Sequence, residues 1–202
     1  MNIKREGEIM ANNYLITGHW GEPHVTPEND RGIHAGIFGA GRFVLPVGEQ
    51  FRAEIVGNNT VRIHDGKLID NGAAAGIPVG RYVDLTIPNA SMSLYRNDLI
   101  VFQYALDTTT LIERGTFVAI RGADRSGSGV DPQCHSEDLL TGSAKLDQMP
   151  LWRVCVDENG AFEVERLFSV SGNMETVNES ILSLNRRLSA LETLPSAEGA
   201  SF

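Results

Sequence analysis

The sequence predicts an all-β domain, a sandwich or jelly-roll-like body of mostly antiparallel strands, followed by a C-terminal coiled-coil helix. Short segments of alternating apolar and polar residues recur through the middle of the chain, separated by turn-forming residues. No strongly amphipathic helix interrupts these segments, which argues against parallel βαβ units. Near the C-terminus the alternation gives way to an apolar repeat with steps of three and four residues.

Length and composition limit the possible classes of protein. The 202 residues, 42% of them hydrophobic and 21% charged, suffice for one sizeable domain with an extension. No apolar run approaches the ~18 to 20 residues of a membrane span. Lys4 and Arg5 are not followed by an apolar stretch that could serve as the core of a secretion signal, so none is expected. A net charge of -9 without a basic cluster argues against nucleic acid as a partner. Cys134 and Cys155 are too few for a disulfide scaffold.

The composition changes along the chain and divides it into four parts. We predict an N-terminal arm at residues 1–17, a β-rich domain at 18–169, a coiled-coil helix at 172–194 and a flexible tail at 195–202. Within the β-rich domain, the stretch Gly18–Gly48 is rich in glycine. This richness predicts bends and loops between short extended pieces.

Alternation places the first strands. Phe51–Ile55 and Val61–Ile63 alternate apolar with polar or charged residues on either side of Asn58-Asn59, which predicts a hairpin. Val83–Ile87 alternates in the same way after the turn signal Pro78-Val79-Gly80. Each of these segments is expected to be a strand with one buried face.

Nearly continuous apolar runs predict the centre of the core. Leu99–Leu106 and Phe117–Ile120 are typical of strands covered on both faces. Further along the chain, Met149–Val156 and Ala161–Phe168 predict another hairpin, with Asn159-Gly160 as its tight turn.

Residues 122–147 break the strand pattern. They begin with the run Gly122–Gly129, which predicts a long loop, and Asp131-Pro132 can then open a short helix through Leu140. A loop of this length in a compact domain is commonly functional or packs on a partner.

The C-terminal repeat lies on a helix predicted to begin after Ser171-Gly172-Asn173 and to end at Pro195. Ser171 or Asn173 can cap its N-terminus, and Glu175 complements the helix dipole. The apolar positions form one narrow stripe typical of a coiled coil. We predict that this stripe is the oligomerisation site, made of Met174, Val177, Ile181, Leu184, Leu188 and Leu191.

Two questions about this helix stay open at the level of sequence. A helix of ~20 residues is marginal alone in water and must pack on something. It could instead fold back on its own β domain, because Leu182 and Leu194 would widen its apolar face. The mixture of Ile, Val and Leu along the stripe also does not decide how many helices associate.

Short motifs that resemble catalytic or cofactor-binding sequences lack the flanking strands and helices that such sites need. We therefore predict neither an enzyme nor a bound cofactor. Gly36–Gly41 is followed by the strand-like Arg42–Pro46 instead of the helix of a dinucleotide-binding fingerprint. Ser126–Gly129 lacks the strand and helix that flank a nucleophile elbow. The histidines match no compact metal-binding pattern, although one from each chain could hold an ion on a symmetry axis: His19, His24, His34, His64 and His135.

Aromatic residues are the remaining candidates for a binding surface, because sugars stack on exposed rings. Trp20, Tyr82 and Tyr95 could contribute to such a surface. Trp152 alternates with Val154 and Val156 along a predicted strand, which favours packing in the core.

One long segment carries a family resemblance. The run HVTPENDRGIHAGIFG, which begins at His24 and continues AGRFVLP, resembles proteins of the tail tips of bacteriophages that infect Gram-positive bacteria. Those proteins show a similar His-Val-Thr opening, an Ala-Gly-Ile-Phe-Gly stretch and a Gly-x-Tyr/Phe-Val-Leu element. The resemblance spans about residues 18–168 and includes Ile55–Gly66, Arg96–Val101, Asp131-Pro132 and Gln148–Val154. The Met1–Met10 leader and Ala73–Ala75 depart from the pattern.

The resemblance implies a non-enzymatic structural virion protein of a tail tip, baseplate or tail fibre, assembled in the host cytoplasm. Such a protein would associate with itself and link receptor-binding parts to the tail. Because phage tail appendages are commonly trimers or higher rings, the resemblance favours a homotrimer that contacts other tail or baseplate proteins. Two alternatives remain: a carbohydrate- or receptor-binding module that recognises a host cell-surface glycan, and a capsid head-fibre or decoration protein.

Overall fold

The computed structural model describes residues 26–57 and 59–192, which form mostly antiparallel β-sheet followed by a C-terminal helix. This confirms the predicted class at that level. The predicted arm and tail lie outside the described residues, as do Trp20, His19 and His24. The elements in chain order are α1 (Pro27–Phe38), β1 (Arg42–Val44), β2 (Ala53–Ile55), β3 (Thr60–Asp70), β4 (Ala73–Thr86), β5 (Arg96–Asp107), β6 (Ile112–Ile120), β7 (Leu146–Asp157), β8 (Gly160–Arg166) and α2 (Met174–Glu192).

The strands form two four-stranded antiparallel sheets that contribute to one core. In the first sheet β3 is central, with β4 along one side and both β1 and β2 along the other. Pairing of Ile55 with Val61 and of Ala53 with Ile63 confirms the first predicted hairpin. The second sheet has the order β6-β5-β7-β8. Apolar side chains of β3 and β5 belong to this shared core.

The central strand of the second sheet agrees with its apolar sequence, but its neighbour β6 does not. Most side chains from Leu99 to Tyr104 in β5 are buried. Phe117–Ile120 was predicted to be equally central, and this is wrong, because β6 lies at the sheet edge and these residues are half-buried. In the β7–β8 hairpin Asp157 pairs with Gly160, so the turn is Glu158-Asn159, one residue before the predicted Asn159-Gly160.

The turn signal at Pro78-Val79-Gly80 produces a bulge within β4. His64 pairs with Tyr82 and Gly66 with Ile77, so residues 78–81 bulge opposite Asp65. The Asp65 carboxylate accepts hydrogen bonds from the backbone N–H groups of Gly80 at 2.5 Å and Glu49 at 2.7 Å. These bonds hold its pKa below the usual range, and they fix the bulge to the loop before β2.

Two helix predictions are corrected by the structure. The glycine-rich stretch was expected to be loops, yet residues 27–38 form α1, with Thr26 as its N-cap and Pro27 in its first turn. Buried Arg31 attaches α1 to the domain, because its guanidinium donates to the Leu139 carbonyl at 3.1 Å and pairs with Glu113.

The short helix predicted after Asp131-Pro132 is absent from the described chain, where residues 131–138 are irregular and a turn follows. Asp131 instead binds Arg153 of β7, and the Glu137 N–H donates to Asp147 at 2.7 Å. These bonds to strands replace the helical ones. The long loop therefore packs on its own domain, with Leu139 fully buried.

Arg42 joins the two sheets through two buried carboxylates. Its Nε donates to Asp70 of β3 at 3.0 Å, and its Nη2 donates to both oxygens of Asp147 of β7, at 2.6 and 2.8 Å. Asp70 Oδ2 is buried without a hydrogen-bond donor among the described residues. Burial raises the pKa of Asp70 to about 7; the neighbouring Asp147 carboxylate contributes to the rise, and Arg42 opposes it.

Asp70→Asn should make the protein less sensitive to pH. A carboxyl whose pKa is higher in the folded than in the unfolded state contributes its full stability below the unfolded value near 4. That contribution declines as the pH rises toward 7 and is lost above it. In D70N the neutral amide can accept from Arg42 and donate to Asp147. We expect D70N to exceed the wild type by on the order of 2 kcal/mol in unfolding free energy at pH 8.

Thermal denaturation at pH 5 and pH 8 measures this difference. A suitable control is Asp84→Asn, because Asp84 is exposed, pairs with Arg62, and has a pKa lowered by that hydrogen bond. D84N should leave the change in stability between pH 5 and pH 8 as it is in the wild type. An equally steep pH dependence in D70N would show that another group is responsible.

Candidate oligomerisation site

The predicted coiled-coil helix is α2, Met174–Glu192. Its N-terminus is capped by Asn173, whose Oδ1 accepts from the Thr176 N–H at 2.8 Å. The structure thus selects Asn173 over Ser171 as the cap. Glu175 lies in the first turn as predicted, and the predicted end at Pro195 lies outside the described residues.

All six residues of the predicted stripe are exposed, and no residue of α2 is buried. The exposed fractions are 75% for Met174, 43% for Val177, 49% for Ile181, 59% for Leu184, 55% for Leu188 and 65% for Leu191. Leu182, which would widen the apolar face in a fold-back arrangement, is 56% exposed. Within residues 26–57 and 59–192, α2 does not fold back on the β domain.

The uncovered stripe can be covered by another chain. Burying a Val, Leu, Ile or Met side chain is worth about 1.5–3 kcal/mol, and a stripe offers several such side chains on one face. A single helix of this length is also marginal in water without packing. Association of two or more α2 helices through the stripe, which we call the seam, would satisfy both requirements.

The two glycine-rich motifs have structural roles, one at the end of a helix and one where two backbone segments lie close together. Gly39 ends α1 with φ +92°, and β1 follows, so the helix precedes the strand, the reverse of the order in a dinucleotide-binding motif. A Cβ on Gly129 would lie 2.5 Å from the backbone nitrogen of Asn97. The Ser126–Gly129 run therefore needs glycine to lie close against the start of β5.

The histidines that the structure describes lie in separate places and do not converge on one site. His34 Nδ1 donates to the Gly72 carbonyl at 2.9 Å, while His64 contacts Glu54 and Glu49 at 3.0 and 3.3 Å. His135 lies exposed on the long loop. In the part of the chain that the structure describes, no group of three or more His, Cys, Asp or Glu residues is arranged to hold a metal ion.

The aromatic candidates have different surroundings. The Arg62 guanidinium lies 3.7 Å from the centre of the Tyr82 ring and occupies one of its faces. Trp152 packs on the core as predicted, with its ring 5.6 Å from Phe168 and its Nε1 donating to the Phe51 carbonyl at 2.9 Å.

Tyr95 is 44% exposed and lines a cavity of about 260 Å³ together with Phe162, a ring that no sequence pattern marks as a candidate. Arg153 in this cavity is already paired with Asp131 and Glu165. A glycan-binding role for this surface stays a prediction from the sequence.

Cys134 and Cys155 are both free and half-buried, and burial raises the pKa of each thiol.

No helix among the described residues is long and apolar enough to cross a membrane. No protein-family model matches the sequence, and no curated protein is significantly similar to it.

Proposed function

We propose that this chain is a non-enzymatic structural protein of a phage tail tip, baseplate or tail fibre. In this proposal α2 joins identical chains as a coiled coil, and the β domain contacts neighbouring proteins or receptor-binding parts. Self-association is supported by one observation: the six apolar residues of the seam are all exposed in the described chain. The resemblance of residues 18–168 to phage tail-tip proteins supports the setting in a virion.

The β body fits a structural role in this proposal. Residues of β3 and β5 share one core, which supports a sandwich of two facing sheets. Arg42 in the first sheet binds the buried carboxylate of Asp147 in the second, which links the two sheets. A body held in this way presents a defined surface to its neighbours. The resemblance favours three copies.

Light scattering on the purified full chain tests self-association. At micromolar concentration and neutral pH, we expect a mass that is a small multiple of 22.0 kDa, and three times that value for the favoured trimer. A mass of 22.0 kDa across the micromolar range, with no partner added, would contradict the proposal.

The location of the chain tests its role in a particle. Antibodies against the β domain should label the tail end of purified phage particles in negative-stain images, and the chain should be present among the virion proteins by mass spectrometry. Labelling on the capsid would overturn the tail assignment in favour of a head-fibre or decoration protein. Absence from purified particles would contradict a virion role altogether.

A further inference from the structure

Two charged residues flank the seam near the end of α2. In a heptad written a to g, Met174, Ile181 and Leu188 occupy position a, and Val177, Leu184 and Leu191 occupy position d. This places Arg187 at position g and Glu192 at position e. Both positions border the apolar contact in a coiled coil, where charges decide partner and orientation.

Neither charge is paired within its own helix. The residues three and four positions from Arg187 are Ser183, Leu184, Ala190 and Leu191. Leu188 and Ser189 precede Glu192 at the same spacing. Residues five positions apart lie on different faces of a helix, so Arg187 cannot reach Glu192 of its own chain. Within the described chain, neither residue forms an ion pair.

We infer that α2 associates with α2 of a second copy of this chain in parallel and in register, so that Arg187 of each helix faces Glu192 of its neighbour. In a parallel coiled coil, position g of one helix faces position e of the next heptad on its neighbour, which lies five residues later. The preceding pair of this kind is Ser180 with Asn185, which is polar and uncharged. No pair of like charges opposes this register. The inference rests on the self-association proposed above and adds its direction.

An antiparallel arrangement leaves both charges without partners. The antiparallel alignment that stacks all six seam residues places Ile181 beside Leu184 and Met174 beside Leu191. In that alignment Arg187 lies beside Ser180 of the neighbour, and Glu192 lies at the opposite end of the bundle from the neighbour's Glu192. The apolar contacts of the seam are compatible with both parallel and antiparallel helices. Charge complementarity favours the parallel one.

The direction decides where the β domains lie. A helix of 19 residues is about 28 Å long. In a parallel bundle all β domains lie together at the N-terminal end of that length. In an antiparallel bundle they lie at opposite ends. A parallel bundle therefore presents a cluster of identical β bodies on one side, with the symmetry axis running along the helices.

Exchanging the two charges tests the pairing. Arg187→Glu and Glu192→Arg each place like charges opposite one another across the seam, and we expect each to weaken association roughly tenfold at low salt. The double variant R187E/E192R restores opposite charges and should regain the wild-type association constant. Arg186→Glu, at position f on the outer face, is the matched control and should leave association unchanged. Sedimentation equilibrium measures all of these constants.

Cross-linking tests the direction independently. In a C134S/C155S background, V177C places identical cysteines in one layer of a parallel bundle, and a disulfide should form within the oligomer under mild oxidation. In the antiparallel alignment residue 177 faces residue 188, so cross-links would form only when V177C is mixed with L188C. Residues 177 and 188 lie about 16 Å apart along the helix, so a cysteine at position 177 cannot form the same cross-link in both arrangements.

These experiments distinguish the inference from the proposal on which it rests. A monomeric wild type would overturn self-association itself. An oligomer whose V177C form cross-links only to L188C would overturn the parallel direction and leave self-association standing. A double variant R187E/E192R as weak as the single variants would overturn the Arg187–Glu192 pairing. Rescue by the double variant together with V177C cross-linking supports the inference.

Discussion

Replacing Arg96 with methionine is expected to lower the free energy of unfolding by about 3–5 kcal/mol, because it leaves a buried carboxylate without its cation. The Arg96 side chain is fully buried, and its Nε and Nη2 donate to Asp98 at 2.7 and 3.1 Å. Nη1 donates to Asp124 at 2.8 Å and to the Asn89 carbonyl at 3.2 Å. Asp98 is 1% exposed, so water cannot replace the lost guanidinium.

The size of the effect also follows from the segments that Arg96 connects. Asn89 lies in the connection after β4, Asp98 lies in β5, and Asp124 lies in the long loop after β6. The Ser91 hydroxyl and the Arg96 guanidinium together lower the pKa of Asp124 to about 2, which keeps this carboxylate charged. Losing Arg96 therefore removes side-chain bonds that connect one strand to two loops.

Urea denaturation of R96M compared with Arg153→Met measures this prediction. Arg153 also binds two carboxylates, those of Asp131 and Glu165, but 27% of its side chain is exposed. R153M should cost clearly less, since water can solvate the carboxylates that remain. Adding D98N to R96M removes the buried charge and should recover part of the loss. Equal costs for R96M and R153M would argue against desolvation as the cause.

The second large effect concerns the seam. I181D/L188D should convert the oligomer into a monomer at micromolar concentration, because association would bury unpaired carboxylates in two layers of the bundle. A penalty of several kcal/mol corresponds to a loss of affinity of more than about a thousandfold. Light scattering should give 22.0 kDa for this variant.

The β domain should remain folded in I181D/L188D, because no residue of α2 is buried against it. Its thermal unfolding, measured by near-ultraviolet circular dichroism, should match that of the wild type at a concentration where the wild type is dissociated. L182D/S189D carries the same added charge at positions off the seam and should keep the wild-type mass. If both double variants dissociate equally, the seam is not the contact surface.

The elements that sequence patterns predicted best are those whose signal lies within one segment. Alternation around residues 51–63 predicted the β2–β3 hairpin, and the apolar run in Leu99–Leu106 predicted the buried β5. All six residues of the seam could be predicted from the sequence, because their spacing is enough to bring them to one face of a helix. For β6, a similar apolar run gave the wrong position, since the run does not encode which strand ends the sheet.

Other features depend on residues far apart in the chain. α1 was missed because its glycines predicted loops, whereas Arg31 is buried through contacts with Leu139 and Glu113, about a hundred positions away in the first case. The helix predicted after Asp131-Pro132 was lost to bonds with β7 and β5. Local propensity contributes little to such short segments when ion pairs and hydrogen bonds to distant residues compete with it.

The sequence by itself determined the antiparallel strands, the composition of the seam and the charges that flank it, because each of these is a periodic or local property of the chain. Only the tertiary structure decided that the seam is uncovered within the described chain, that β6 lies at an edge, and that Arg96 and Asp70 are buried beside their partners. Burial and pairing across long sequence separations leave no period in the sequence, so they follow from packing alone.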